Sequence, residues 1–167
     1  MNPRRDMSWL VEMHQSGAFA SLTMPAGRFF TPTEAFWALF DRPGWRDRKW
    51  VDAGAGSGEL TEEALARGLD MMAVDPHPRD GQAACVHRLS ALALPYNRHI
   101  WALICRPDHG HWCAELIDKV RFSESTAFYV GNECNLERDL DEHVASAVLV
   151  VAPVGLQGEG IWQIGPG

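Results

Sequence analysis

The chain of 167 residues predicts an α/β fold: an open twisted sheet, mostly parallel, with an antiparallel last strand and helices on both faces. Three observations predict it. Short apolar runs with the length of strands alternate with amphipathic runs from residue 49 onward. The first of these strands, at 49–53, leads straight into a glycine-rich turn, Gly54-Ala55-Gly56-Ser57-Gly58. The last two are joined by Pro153-Val154-Gly155-Leu156-Gln157-Gly158, a hairpin-type connection that turns the final strand antiparallel.

The elements follow in order. Residues 1–26 read as an N-terminal extension, with a short helix at 7–13 and a loop over 17–27 that contains the turn Met24-Pro25-Ala26-Gly27. Thr31-Pro32-Thr33-Glu34 has the pattern of a helix start, with Thr31 as cap, Pro32 in the first position and Glu34 in the third. That helix runs through residue 40 and stops at Asp41-Arg42-Pro43-Gly44. After the strand at 49–53 come a helix at 59–67, closed by Gly68, and a strand at 70–75. A loop at 76–81 precedes a strand at 85–89, leaving room for only a very short helix between them. The strand at 99–105 is apolar enough to lie centrally in a parallel sheet. A helix at 112–120 sets Trp112, Leu116 and Val120 against Glu115, Asp118 and Lys119. A strand at 125–130, a charged helix at 135–144 and strands at 147–151 and 160–164 complete the chain.

Hydrophobic residues make up 46% and charged residues 22%, the balance of an ordinary globular protein, and residues 27–167 have the size of one domain. No apolar run approaches the ~20 residues that span a bilayer. The first residues lack the apolar core of a secretion signal. A cytoplasmic protein is expected, not bound to a membrane, with Cys85, Cys105, Cys113 and Cys134 as free thiols. The net charge of −7 argues against a large autonomous nucleic-acid-binding face, while leaving a local basic patch or a partner as routes to one.

The glycine loop carries the chemistry. A dinucleotide fingerprint, Gly-x-Gly-x-x-Gly, would place its third glycine at 59, where this chain has Glu59. Asp52, two residues before Gly54, would repel a pyrophosphate and attract a cation such as the amino group of an aminoacyl moiety. Asp75 ends the second strand, where such folds place a carboxylate on ribose hydroxyls. Asp52-x-Gly54-x-Gly56-x-Gly58, followed by that acid, resembles motif I and the ribose-binding acid of class I S-adenosyl-L-methionine (SAM) methyltransferases, whose fold is Rossmann-like. The resemblance covers residues 27–165 and implies SAM as cofactor. Asp52, Gly54, Gly56 and Gly58 would hold its methionine and ribose region, and Asp75 with Pro76 the ribose hydroxyls.

Ala26-Gly27-Arg28-Phe29-Phe30-Thr31-Pro32 resembles the Phe-Thr-Pro element of amino-methyltransferases acting on adenine in DNA. It implies that Phe30 and Thr31 lie at the methionine end, with the Phe30 ring over the sulfonium, and that the acceptor is a nucleic-acid amino group, in DNA or RNA. That family often has Asp-Ala-Leu-x-Leu-Pro where this chain has Ser90-Ala91-Leu92-Ala93-Leu94-Pro95, which puts Ser90 at the adenine amino group. After the fourth strand the family carries Asn/Asp-Pro-Pro-Tyr/Phe, and here the departure is larger: Arg106-Pro107-Asp108-His109. A guanidinium cannot accept a hydrogen bond from an amine. Arg106, Pro107, Asp108 and His109 are therefore expected to line the acceptor side, with Asp108 or His109 as base toward another nucleophile.

The competing expectation is a catalytically inactive, methyltransferase-like binding module that works through a protein partner or as a homodimer. A nicotinamide enzyme is disfavoured by Glu59 and Asp52. Cys105, His109, His111 and Cys113 have the ligand types of a zinc site without the spacing of a zinc module, so no metal is expected. Of the seven tryptophans (Trp9, Trp37, Trp45, Trp50, Trp101, Trp112 and Trp162) most are expected in the core, and an exposed Trp9 or Trp45 would mark a partner surface.

Overall fold

A computed structural model of the chain describes residues 30–77, 80–107 and 111–166. The expected extension at 1–26, the Ala26–Phe29 part of the aromatic segment, and the candidate bases Asp108 and His109 lie outside the described residues. Seven strands form one sheet: β1 (Lys49–Ala53), β2 (Met71–Val74), β3 (Val86–His87), β4 (Ile100–Cys105), β5 (Ala127–Gly131), β6 (Val148–Val151) and β7 (Gly160–Ile164). Their order is β3-β2-β1-β4-β5-β7-β6. The first five pair in parallel, and β7 lies antiparallel between β5 and β6. The expected open sheet with its reversed final strand is therefore present.

Strand alternation divides the core in two. In β1, Trp50 faces one side and Val51 and Ala53 the other. The Trp50 face is covered by α1 (Glu34–Trp37), its 3-10 extension Ala38–Asp41, and α2 (Glu59–Ala66). This face is an aromatic block. Trp45 lies 4.6 Å from Phe128, and Trp50 lies 5.3 Å from both Trp101 and Phe128. Trp45 is only 8% exposed, so it belongs to this core and marks no open surface. Arg48 and Arg67 close the rim by lying over the Trp101 and Trp37 rings, at 4.9 and 4.6 Å. The other face is covered by α3 (Trp112–Phe122), with Cys113, Leu116, Ile117 and Val120 fully buried, and by α4 (Leu136–Leu140).

Three expectations change in detail. The first helix is capped by Thr33, two residues later than the pattern implies. The cause is distant in sequence: the Thr31 carbonyl accepts from the Leu156 amide, Pro32 bridges to Gly155, and both the amide and hydroxyl of Thr33 donate to the Val154 carbonyl. The connection between β6 and β7 thus holds 31–33 extended. The third strand shrinks to two residues, and a 3-10 turn at Ala91–Ala93, begun by the Ser90 hydroxyl, follows it. The charged helix at 135–144 breaks into a 3-10 turn, α4, and a second 3-10 stretch, with Asp141 at φ 49° at the break.

The two outer strands differ. β3 is too short to template anything, whereas β6 is an apolar edge with Val148 66% and Leu149 52% exposed. Among the described residues no helix is long and apolar enough to cross a membrane.

Candidate cofactor site

The site forms where β1 and β2 end. Gly54, Gly56 and Gly58 all adopt left-handed φ, at 71°, 60° and 86°, a conformation that costs a residue with a Cβ about 1–3 kcal/mol. The bend they make is pinned by Asp75. One Asp75 carboxylate oxygen accepts from the Gly56 amide at 2.8 Å, and the other accepts from the His77 amide at 2.8 Å. Asp75 is buried, and both of its oxygens keep further lone pairs for hydroxyl donors. Pro76, just beyond it, is exposed.

Asp52 lies one strand away, pairing in register with Ala73 and Leu103. It is 2% exposed and accepts a 2.9 Å hydrogen bond from the Thr61 hydroxyl in the first turns of α2. Burial pushes its carboxyl up to about 6, the Thr61 bond opposes that rise, and the charge of Asp75 adds to it. Cys105, at the end of β4, senses the same charge. Burial, then Asp52 and Glu159, push its thiol well above the usual range.

The two other sides of the bend are made by elements that the sequence reading did not connect to it. The segment after β2 folds back onto the loop: Gln82 Nε2 donates to the Gly56 carbonyl at 2.8 Å, and the Ala83 amide donates to the Ser57 carbonyl at 2.8 Å. A Cβ on Gly58 would collide with Val86 and press on Ala83. Gly58 is thus required by close packing of the chain on itself rather than by approach of a ligand. Gly58→Ala is expected to lower stability by about 2–3 kcal/mol, from left-handed strain and overpacking, as read by urea denaturation. On the other side the Trp112 indole, at the start of α3, sits 3.2 Å from where a Cβ of Gly54 would stand.

The remaining predicted residues divide. Ser90 lies at the start of the 3-10 turn, where its hydroxyl accepts from the Leu92 amide at 3.2 Å. Phe30 is 4% exposed, and its ring meets Phe36 edge-on at 5.2 Å, inside the aromatic core. Thr31 is half-buried and joined to Leu156. Arg106 stands at the end of β4 with φ 45°, and its side chain reaches the connection between β6 and β7. Nη1 donates to Gln157 Oε1 at 2.6 Å and to Glu159 Oε1 at 3.2 Å. Pro107 follows it, half-buried.

The cysteines of the zinc-like spacing stand apart: Cys105 packs against the aromatic face and Cys113 lies buried in the other core. Asp118, Glu142 and His143 do converge. There His143 Nδ1 accepts from Arg121 at 3.3 Å, while Nε2 lies 3.1 Å from Asp118 without forming a hydrogen bond.

No protein-family model and no curated protein matches the sequence. Solved structures do match in fold. The ribosomal protein L11 methylase from Lactobacillus delbrueckii subsp. bulgaricus aligns at 18% identity and TM-score 0.54, over 81% of this chain and 79% of that one. The 1,6-didemethyltoxoflavin-N1-methyltransferase of Burkholderia thailandensis, with bound 1,6-didemethyltoxoflavin and S-adenosylhomocysteine, aligns at 17% and 0.53, over 93% and 84%. The magnesium protoporphyrin IX methyltransferase from Synechocystis, with bound SAM, aligns at 10% and 0.52, over 98% of each chain. The likeness is one of fold: a Rossmann-like, mostly parallel sheet with helices on both faces, shared with these methyltransferases.

Proposed function

We propose that the protein is a SAM-dependent methyltransferase that binds its cofactor over the Gly54–Gly58 bend. The observation that carries this reading is the pairing of that left-handed bend with Asp75, in a fold that aligns with a solved methyltransferase holding S-adenosylhomocysteine. The residues present fit the group. A carboxylate fixed by two amides offers its free lone pairs to ribose hydroxyls. A second buried carboxylate, Asp52, provides negative charge for the cationic aminoacyl end. SAM, when bound, supplies an electrophilic methyl group. The chain's part is to orient the cofactor on the bend, against the 82–86 segment that packs on it, with the acceptor's lone pair in line.

The Phe-Thr-Pro resemblance supports a nucleic-acid amine as acceptor. A second reading, a module that holds SAM without transferring its methyl, is favoured by the engagement of Arg106 with Gln157 and Glu159, which leaves an acceptor-contacting side chain to other residues. Calorimetry with SAM, S-adenosylhomocysteine and NAD tests the shared premise: SAM should bind and NAD should not. Asp75→Ala should weaken SAM at least roughly thirtyfold, the loss of two charge-assisted hydrogen bonds. Binding of NAD in preference to SAM would overturn the reading. Incubation with methyl-labelled SAM and DNA, RNA or a metabolite pool then decides between transfer and mere binding.

A further inference from the structure

Away from the glycine bend, three side chains of ligand type converge: Asp118 in α3, and Glu142 and His143 in the 3-10 stretch Asp141–Ser146. No metal was expected from the sequence, where Asp118 lies far from the other two and no ligand motif joins them. One donor atom from each lies within 4.8 Å of the others. The two carboxylates are exposed, whereas His143 is only 4% exposed. Its Nε2 is buried, has no hydrogen-bond partner and stands 3.1 Å from Asp118 Oδ1, so it is aimed into the cluster. A buried polar nitrogen without a partner is costly, and native folds seldom keep one without a use.

We propose that Asp118, Glu142 and His143 bind a divalent cation of the zinc class, through one oxygen of each carboxylate and the Nε2 of the imidazole. Zinc takes imidazole nitrogen and carboxylate oxygen at about 2.0–2.2 Å. Two such ligands at the tetrahedral angle stand about 3.3 Å apart. Nε2 and Asp118 Oδ1 already hold nearly that spacing. Glu142 is exposed and closes the remaining distance by rotating its side chain, and a fourth position stays open to water. The imidazole favours zinc over magnesium and calcium, which prefer shells made of oxygen. One neighbour opposes the ion: Arg121, one turn beyond Asp118 on α3, donates to His143 Nδ1 at 3.3 Å. With a cation on Nε2 the ring proton belongs on Nδ1, so this long contact opens and the exposed arginine turns outward. Arginine and cation thus compete for one imidazole. The bound ion ties α3 to the stretch that precedes β6.

The test uses the full chain, freed of metal with a chelator, and Zn²⁺ alone as the probe. Calorimetry gives the zinc affinity and thermal melting the stabilisation, for the unaltered protein and for Asp118→Asn, Glu142→Gln, Arg121→Gln and Cys134→Ser. The unaltered protein should melt higher as zinc is raised. Asp118→Asn and Glu142→Gln change exposed side chains, so both variants fold, and each should weaken zinc at least roughly tenfold. Arg121→Gln should tighten it roughly threefold by removing the competing cation. Cys134→Ser, which removes the exposed thiol, should leave the affinity unchanged. Co²⁺ in place of zinc should give a spectrum without a thiolate charge-transfer band. No zinc-dependent rise in melting temperature overturns the proposal and leaves a plain pairing of His143 with Asp118. Zinc binding that survives both carboxylate substitutions, or that Cys134→Ser abolishes, overturns it too, by placing the metal elsewhere. Magnesium binding as tight as zinc overturns the part given to the imidazole. Every measurement is made without SAM, so the outcome is independent of the cofactor reading.

Discussion

Asp52→Asn is expected to stabilise the ligand-free protein at pH 7.5 by about 3 kcal/mol while weakening SAM roughly thirtyfold or more. Burial holds the Asp52 carboxyl at about 6 in the folded protein against an ordinary value of 3.8, so at neutral pH the fold carries an ionised group it would rather keep protonated. The sign follows from which state binds the proton more tightly. Below pH 3.8 the group is protonated whether folded or unfolded, and the asparagine variant gains nothing. Between about 4 and 6 the unfolded chain ionises first, so the unaltered protein loses stability as pH rises through that window. Above 6 the penalty is constant. Asparagine keeps an acceptor for the Thr61 hydroxyl and removes the charge. Urea denaturation at pH 4, 5, 6 and 7.5 should therefore show the two proteins diverging over that interval and running parallel beyond it. A variant no more stable at pH 7.5 would show that the carboxylate is not buried at a cost. The affinity loss has the same origin, since the ionised form is the one that attracts a cation. SAM binding to the unaltered protein should accordingly weaken as pH falls below 6.

Arg106→Ala should cost about 3–5 kcal/mol, because it strands the Glu159 carboxylate. Glu159 is 0% exposed. Its Oε1 pairs with Arg106 at 3.2 Å and its Oε2 accepts from the Gln157 amide at 2.9 Å. Gly155 has no Cβ to collide with that carboxylate or with Phe30, so the connection between β6 and β7 wraps closely around it. The same connection grips residues 31–33 through Val154 and Leu156. One ion pair thus holds together the end of β4, the last hairpin and the start of α1. Adding Glu159→Gln to Arg106→Ala should restore most of the lost stability, as measured by urea denaturation of the single and double variants. If the double variant is no better than Arg106→Ala alone, the arginine acts through something other than Glu159.

These two residues show what the sequence could reveal. Asp52 was legible as a buried acid beside the bend because its setting is local: it stands two positions before alternating glycines, at the end of an apolar strand. Strands β1 and β7 match their predicted bounds for a similar reason, since each is a short apolar run bounded by turn residues. Arg106 was read as an acceptor-side residue from its place after β4, and its partners Gln157 and Glu159 are 51 and 53 positions away. No periodicity encodes such a contact. The cap of α1 moved from Thr31 to Thr33 for the same cause, an interaction with Val154 that is 121 positions distant. Trp112 fits a helix stripe so well that nothing in its own neighbourhood separates a core tryptophan from one that meets the glycine bend. The signal that could have found it is topological: in an open α/β sheet the helix after the fourth strand starts at the edge where ligands bind.

The unequal rims of the sheet have a consequence for handling the protein. Edge strand β6 is four consecutive aliphatic residues, with Val148 and Leu149 exposed and Val150 and Val151 packed against the aromatic core. Their sequence neighbours Ala147 and Ala152 supply no charge. Natural sheets guard such a border with lysine, proline or a strong kink, and here one irregularity near Leu149 and Val151 is the guard in place. Along this border the unpaired backbone groups of one molecule can zip onto those of another.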